Sequence, residues 1–224
     1  MKEKILEFLE LNKDDACASF SSRLIKDNLK LVGVKLPILF SFAKSNIDKI
    51  DQILEVDDAD IFEIRMIKLF AISQIKEIEE YKKYFEVSIG LITNWSLCDS
   101  YVMHSKVIKK DLPYFFDRAC KLINNNEEFH QRIGLIIMLG YFVNDEYIDK
   151  IFDEIDKIKS NGYYSQMALA WLISVLYVKY TDKTKIYLLN NKVDKSIIKM
   201  SIRKINDSYR VSDKDKEWLK KIEY

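Results

Sequence analysis

The sequence predicts an all-α protein, an α-solenoid of HEAT-like antiparallel helix pairs. Three observations carry this. Glycine and proline are scarce, at 5 and 2 of 224 residues, so the turn chemistry that strands need is missing. Lys, Leu, Ile and Glu are abundant, a composition that favours helices with short connections. Helix pairs then begin near residues 96, 126, 163 and 194, at intervals of 30, 37 and 31. A period of roughly 30–45 residues, with two helices per unit and no strands, marks stacked helical repeats. The units do not match one another in sequence, so the comparison with HEAT repeats rests on rhythm. Stacked pairs curve, and their concave face is the default binding surface.

The elements follow from periodicity and end signals. Residues 2–11 and 16–28 read as amphipathic helices split by Asp14-Asp15. Gly33 breaks the pattern, and Pro37 suits the first turn of a helix over 37–45. Residues 47–56 read as helical again. Asp57-Asp58-Ala59-Asp60 is an acidic helix start, favourable with the macrodipole, for a helix running to Lys76; another runs from Glu79 to Ile92. Ser96 is expected to cap a helix over 97–109, with Asp99 at the capping-box position. Asp111 is expected to cap one over 112–123, with Pro113 in its first turn. Further helices run from Asn126 to Phe142 and from Asn144 to Lys159; Asn161-Gly162 is a turn. An apolar helix covers 163–180, Asp182 caps a short one, Asp194 precedes a basic helix to Asn206, and Ser212 caps the last with Asp215 three residues on.

At 224 residues the chain is long enough for a sizeable core and is expected to form a single repeat domain over 1–224. The three cysteines, Cys17, Cys98 and Cys120, are scattered and read as reduced thiols of a cytoplasmic protein. The acidic residues among the first seven argue against a signal peptide, and no apolar run is long enough to span a membrane. No metal is expected, because His104 and His130 lack partners at ligand spacing; no cofactor motif is present. Nothing requires more than a monomer. Net charge is +1 overall but unevenly spread. Residues 1–60 sum to −3, residues 61–100 and 101–160 to −1 each, and residues 161–224 to +6. The basic last quarter points to a polyanionic partner.

Four residues stand out as site candidates. Trp95 is followed four residues later by Asp99, where an apolar run gives way to a new helix. Arg132 sits in an otherwise apolar helix, and Trp171 in the most hydrophobic one. Each also has a plainer role: Asp99 as part of a helix cap, Trp95 as an inter-helix plug, Arg132 as an ion-pair partner of Glu128, and Trp171 as core. Lys195, Lys199 and Arg203 recur every four residues opposite Ile198, Ile202 and Ile205. With the neighbouring Arg210 they offer phosphate contacts, or else a solvated face.

Several segments together resemble the AlkD-like DNA alkylation repair proteins. These are Asn94-Trp95-Ser96-Leu97-Cys98-Asp99, Glu128-Phe129-His130-Gln131-Arg132-Ile133-Gly134, Tyr163-Tyr164-Ser165-Gln166-Met167-Ala168-Leu169-Ala170-Trp171 and Ser208-Tyr209-Arg210-Val211-Ser212. Gly33-Val34-Lys35-Leu36-Pro37 is similar to the family's Gly-Val-Arg-x-Pro element. The resemblance is strongest over 92–212, and the amino-terminal third, 1–91, is divergent. Leu39-Phe40-Ser41 lacks the arginine of the family's Leu-Arg pair, and Phe70-Ala71-Ile72-Ser73-Gln74 lacks its Gly-Tyr-x-Lys-like segment.

The resemblance implies HEAT-like repeats in a right-handed superhelix with duplex DNA in the concave groove. It implies release of N3- and N7-alkylated purines by hydrolysis of the glycosidic bond, with the lesion left stacked. It matches Trp95 and Trp171 to the family's tryptophans, Asp99 to its catalytic acid and Arg132 to its arginine. Those residue types suit the chemistry. An alkylated purine is cationic and already a good leaving group, so the barrier lies in the oxocarbenium-like sugar. A carboxylate beside that sugar stabilises it and orients water. Tryptophan faces against the cation contribute roughly 0.5–2 kcal/mol each. Arginine offers a planar fork for a phosphate or for the acid. The alternative is a HEAT-like scaffold that binds DNA structures or a protein partner without catalysis.

Overall fold

The computed structural model describes residues 1–57, 60–160 and 162–222. Among them the chain forms fourteen α-helices and no strand; a parallel bridge joins Lys30 to Ile61. No described helix is long and apolar enough to cross a membrane. The helices gather into two compact units, Met1–Asp111 and Leu112–Tyr224.

The first unit holds α1 (Lys2–Asn12), α2 (Asp15–Leu24), α3 (Leu36–Ser45), α4 (Ile50–Leu54), α5 (Phe62–Ser73), α6 (Ile78–Leu91) and α7 (Trp95–His104). Asp14 accepts a hydrogen bond from the Cys17 N–H and so starts α2, while Pro37 lies in the first turn of α3. α5 is the centre of this unit. Every residue of it except Arg65 is buried, and α3, α4, α6 and α7 pack around it. A helix apolar on most sides belongs in a core. Its two buried charged side chains therefore need partners. Lys68 Nζ donates to the Val56 carbonyl at 2.5 Å. The Glu63 carboxylate, 1% exposed, accepts from the backbone N–H groups of Val32 (3.0 Å), Gly33 (2.7 Å) and Val34 (3.4 Å). That triple contact curls the chain into α3. It requires Gly33 at φ 97°, where an added Cβ would also lie 2.3 Å from the Asp14 carbonyl oxygen.

The second unit holds α8 (Leu112–Ile123), α9 (Glu128–Tyr141), α10 (Ile148–Ile155), α11 (Tyr163–Lys179), α12 (Thr181–Asn190), α13 (Lys195–Asn206) and α14 (Asp213–Leu219). α9 packs against α8 and α11, and α11 against α9, α12 and α13. Ile133, Ile136 and Ile137 of α9 are fully buried, as are Ala168, Leu172 and Ile173 of α11. Burying each Ile or Leu contributes roughly 1.5–3 kcal/mol. Ser212 caps α14 as expected, its hydroxyl accepting from the Asp215 N–H at 3.2 Å.

Several helix ends differ from the sequence reading. α2 stops at Leu24, because Ile25 is already extended and Asp27 turns to other partners. α5 stops at Ser73, whose hydroxyl back-bonds to the Phe70 carbonyl while Gln74 N–H closes a tighter turn on Ala71. Asn144 caps a turn through the N–H groups of Glu146 and Tyr147, and α10 begins only at Ile148. Asp58 and Ala59 of the expected acidic start, and Asn161 of the expected turn, lie outside the described residues.

Candidate active site

In the first unit, Trp95 and Asp99 lie on α7. The helix does not start where the Ser-x-x-acid spacing placed it. Asn94 is the N-cap, its side-chain oxygen accepting from the Leu97 N–H at 3.1 Å. Trp95 is therefore the first helical residue, Ser96 is buried inside the first turn, and Asp99 sits in the second turn. The capping-box reading of Ser96 and Asp99 is overturned. Asn94 wins because its amide serves both ends, donating to Asp27 Oδ2 at 2.9 Å while its oxygen caps the helix.

Asp27 is the hub of this corner. Its Oδ2 also accepts from the Thr93 hydroxyl at 2.6 Å, and Oδ1 accepts from the Asn28 N–H at 2.7 Å. Arg65 Nη1 donates to Thr93 Oγ1 at 3.2 Å and to the Leu91 carbonyl at 3.4 Å. Burial alone would raise the Asp27 carboxyl, but the hydrogen bonds from Asn94, Thr93 and Asn28, with Arg65 nearby, hold it below its ordinary value. The Trp95 indole N–H donates to the Leu24 carbonyl at 3.3 Å. The tryptophan is thus fixed at its backbone by the Asn94 cap and at its ring by Leu24. Asp99 follows one helical turn later, on the same face, and both side chains are half-buried.

In the second unit, Arg132 and Trp171 lie on neighbouring helices, α9 and α11. Arg132 is 6% exposed and donates from Nη1 to the Tyr164 carbonyl at 2.7 Å. Glu128, one turn earlier on α9, accepts the Tyr164 N–H at 2.5 Å. The pair holds both sides of the first turn of α11. The approach is so close that a Cβ on Gly162 would fall 2.2 Å from the Glu128 carboxylate. Trp171 is half-buried and lines a cavity of about 400 Å³ with Ser174, Val178, Lys204, Asp207 and Arg210. It therefore has a surface open to a ligand, unlike the fully buried Ala170 and Leu172 beside it.

Lys195, Lys199 and Arg203 are exposed along one stripe of α13, beside the buried stripe of Ile198, Ile202 and Ile205. Arg210 stands at the Trp171 cavity with Lys204, and Tyr209 between them in sequence is fully exposed. Sequence reasoning missed Lys204, which falls off the four-residue stripe. It also missed Asp27, Arg65 and Glu128 as positioning groups, whose partners are distant in the chain. Cys98 is fully buried, and burial pushes the Cys120 thiol up to about 12, with Glu154 and Asp117 adding to the shift. Neither is poised as a nucleophile. Among the described residues no group of three His, Cys, Asp or Glu side chains converges as a metal set would.

Among the described residues the chain is all-helical, with a tryptophan and an acid one turn apart on α7 and a basic carboxy-terminal quarter. Residues 5–205 match the family model of the DNA alkylation repair enzymes, and the chain belongs to that family. No curated protein matches it in a sequence search. Membership makes this an enzyme of DNA alkylation repair, with DNA as its substrate.

Proposed function

We propose that the protein is a DNA glycosylase that hydrolyses the N-glycosidic bond of cationic N3- or N7-alkylated purines in duplex DNA. In this reading the helix pairs are HEAT-like repeats of an α-solenoid that carries the duplex, acting without cofactor or metal. The observation that supports it best is the pairing of Trp95 and Asp99, an anchored tryptophan with a half-exposed carboxylate one turn away, in a chain of this family.

Asp99 stabilises the oxocarbenium-like sugar as the bond stretches and orients the attacking water. Trp95 and Trp171 present electron-rich faces to the cationic nucleotide. Lys195, Lys199, Arg203 and Arg210, with Lys204, neutralise phosphates and give affinity without sequence preference. Arg132 is a positioning residue in this reading: its guanidinium donates to the Tyr164 carbonyl, and it acts by fixing the helix that carries Trp171.

The test is release of free base from methylated duplex DNA under single-turnover conditions, beside Asp99→Asn. The wild type releases base, and the variant loses roughly 100-fold or more in rate, the usual loss when a preorganised electrostatic stabiliser is removed. An unchanged rate in Asp99→Asn removes Asp99 from the mechanism. Release by neither protein, with salt-sensitive DNA binding retained, replaces the glycosylase with a DNA-binding scaffold.

A further inference from the structure

The first unit contains a cavity beside an aromatic cluster, built by residues to which the proposed hydrolysis gives no task. Phe40 of α3, Phe70 of α5 and His104 of α7 form an aromatic cluster. Phe40 meets Phe70 edge-on at 5.2 Å between ring centroids and lies 4.7 Å from His104. His104 lies 5.1 Å from Phe70. His104 Nδ1 sits 2.6 Å from the Ser100 carbonyl oxygen, which only accepts, so Nδ1 carries the hydrogen and Nε2 is left as an acceptor in the neutral ring.

Phe40 and His104 together line a cavity of about 460 Å³, and both also line an adjoining one of about 280 Å³ against Leu36, Pro37 and Phe70. The larger falls within the ~300–1,000 Å³ of sites that take small molecules. Ile75 and Val107 continue its apolar lining, and the rim is charged. Lys76, Lys106 and Lys110 stand around it, all exposed, with Lys110 Nζ held on the Lys76 carbonyl at 2.8 Å. Gln74 also contributes; its amide nitrogen donates to Ser73 Oγ at 3.1 Å, which leaves its carbonyl oxygen and second N–H for a ligand.

An aromatic floor with amide and imidazole edges and a rim of three cations, no carboxylate lining it, is complementary to a planar base that carries a phosphate. Stacking holds the base and the lysines hold the anion, the combination used for unpaired nucleotides. The two segments at which the sequence departs from the family pattern, Leu39–Ser41 and Phe70–Gln74, both contribute to these walls.

We propose that this cavity binds a single unstacked nucleotide, its base against Phe40 and His104 and its phosphate among Lys76, Lys106 and Lys110. The nucleotide comes either from a single-stranded stretch of DNA or from the free mononucleotide pool.

Calorimetric and ligand-observed NMR titrations of the intact protein separate the two sources, using free deoxyadenylate and a short single-stranded oligodeoxyadenylate. Binding of either probe is expected to weaken roughly fivefold or more in Phe40→Leu, which keeps an apolar side chain and removes the stacking face. It is expected to weaken also in the exposed double variant Lys76→Gln/Lys106→Gln and at higher salt. Circular dichroism checks that each variant folds. Binding of the oligonucleotide alone assigns the site to a DNA strand, and binding of both probes assigns it to the nucleotide itself. The proposal is overturned if neither probe binds. It is also overturned if binding ignores both variants, or if deoxyadenosine without its phosphate binds as well as deoxyadenylate. Base release is not the readout, so the outcome is independent of the glycosylase reading.

Discussion

Glu63 offers a graded test of how the first unit is held together. Its carboxylate is 1% exposed and accepts two well-placed backbone N–H groups, from Val32 at 3.0 Å and Gly33 at 2.7 Å, and a longer one from Val34 at 3.4 Å. Hydrogen bonds to a charged acceptor contribute roughly 1.5–3 kcal/mol each, and an unpaired buried donor costs about 1–3 kcal/mol. Removing the acceptor in Glu63→Ala strands these donors, and we expect a loss of about 4 kcal/mol, the third bond being too long to add much. Glu63→Gln keeps one oxygen for Gly33 and Val34 but sets an amide N–H against the Val32 N–H, for a loss of about 2 kcal/mol. Urea unfolding followed by circular dichroism gives both values. In a thermal scan a chain of this size loses roughly 2–4 °C per kcal/mol, so Glu63→Ala should melt roughly 8–16 °C lower. A loss under about 1 kcal/mol in Glu63→Ala refutes the account. So does a Gln variant as damaging as the Ala one, which would assign the effect to charge rather than to the donors.

Two further predictions use the same logic. Arg132→Ala should cost about 2–3 kcal/mol, the worth of a buried charge-assisted hydrogen bond with its packing. Arg132→Lys should recover part of that stability, since it keeps the charge but not the fork; base release that tracks stability across both variants identifies a positioning residue, whereas base release lost in a fully stable variant refutes that role. Asp27 sets a pH dependence: its folded pKa lies below the ordinary 3.8, so its contribution is present above that value and lost as pH falls through the folded one. Acid unfolding curves of Asp27→Asn should be flatter below about pH 4 than those of the wild type, and coincident curves would remove Asp27 from the accounting.

The all-helical class was legible because it rests on composition and period, which are summed over many residues. Pro37, Gly33 and Ser212 were legible because each acts on its own neighbours in the chain. The start of α7 was not. Asn94 and Ser96 are both good caps, and Ser96 with Asp99 carries the stronger local pattern; the choice is made by Asp27, far away in sequence, which takes the Asn94 amide. Glu63 fails in the same way. Before Ile64 it reads as an ordinary first-turn acid, and only the folded chain brings Val32–Val34 to it. Trp171 was singled out by type, but its open face depends on Lys204 and Arg210 from other elements. The cluster of Phe40, Phe70 and His104 carries no sequence signature, because its three rings come from three helices.

The grip of Glu128 and Arg132 on Tyr164 has a geometric consequence for Trp171. The two residues are seven apart on one helix, which is two turns, so they point in nearly the same direction about its axis. Pinning the peptide groups of Tyr164 therefore sets the rotational phase of the whole helix. A slip of one residue at the grip would swing the indole by about 100° and move it along the axis by about 1.5 Å. The aim of the tryptophan is set some 10 Å upstream, by two side chains on another helix acting as a key in a shaft.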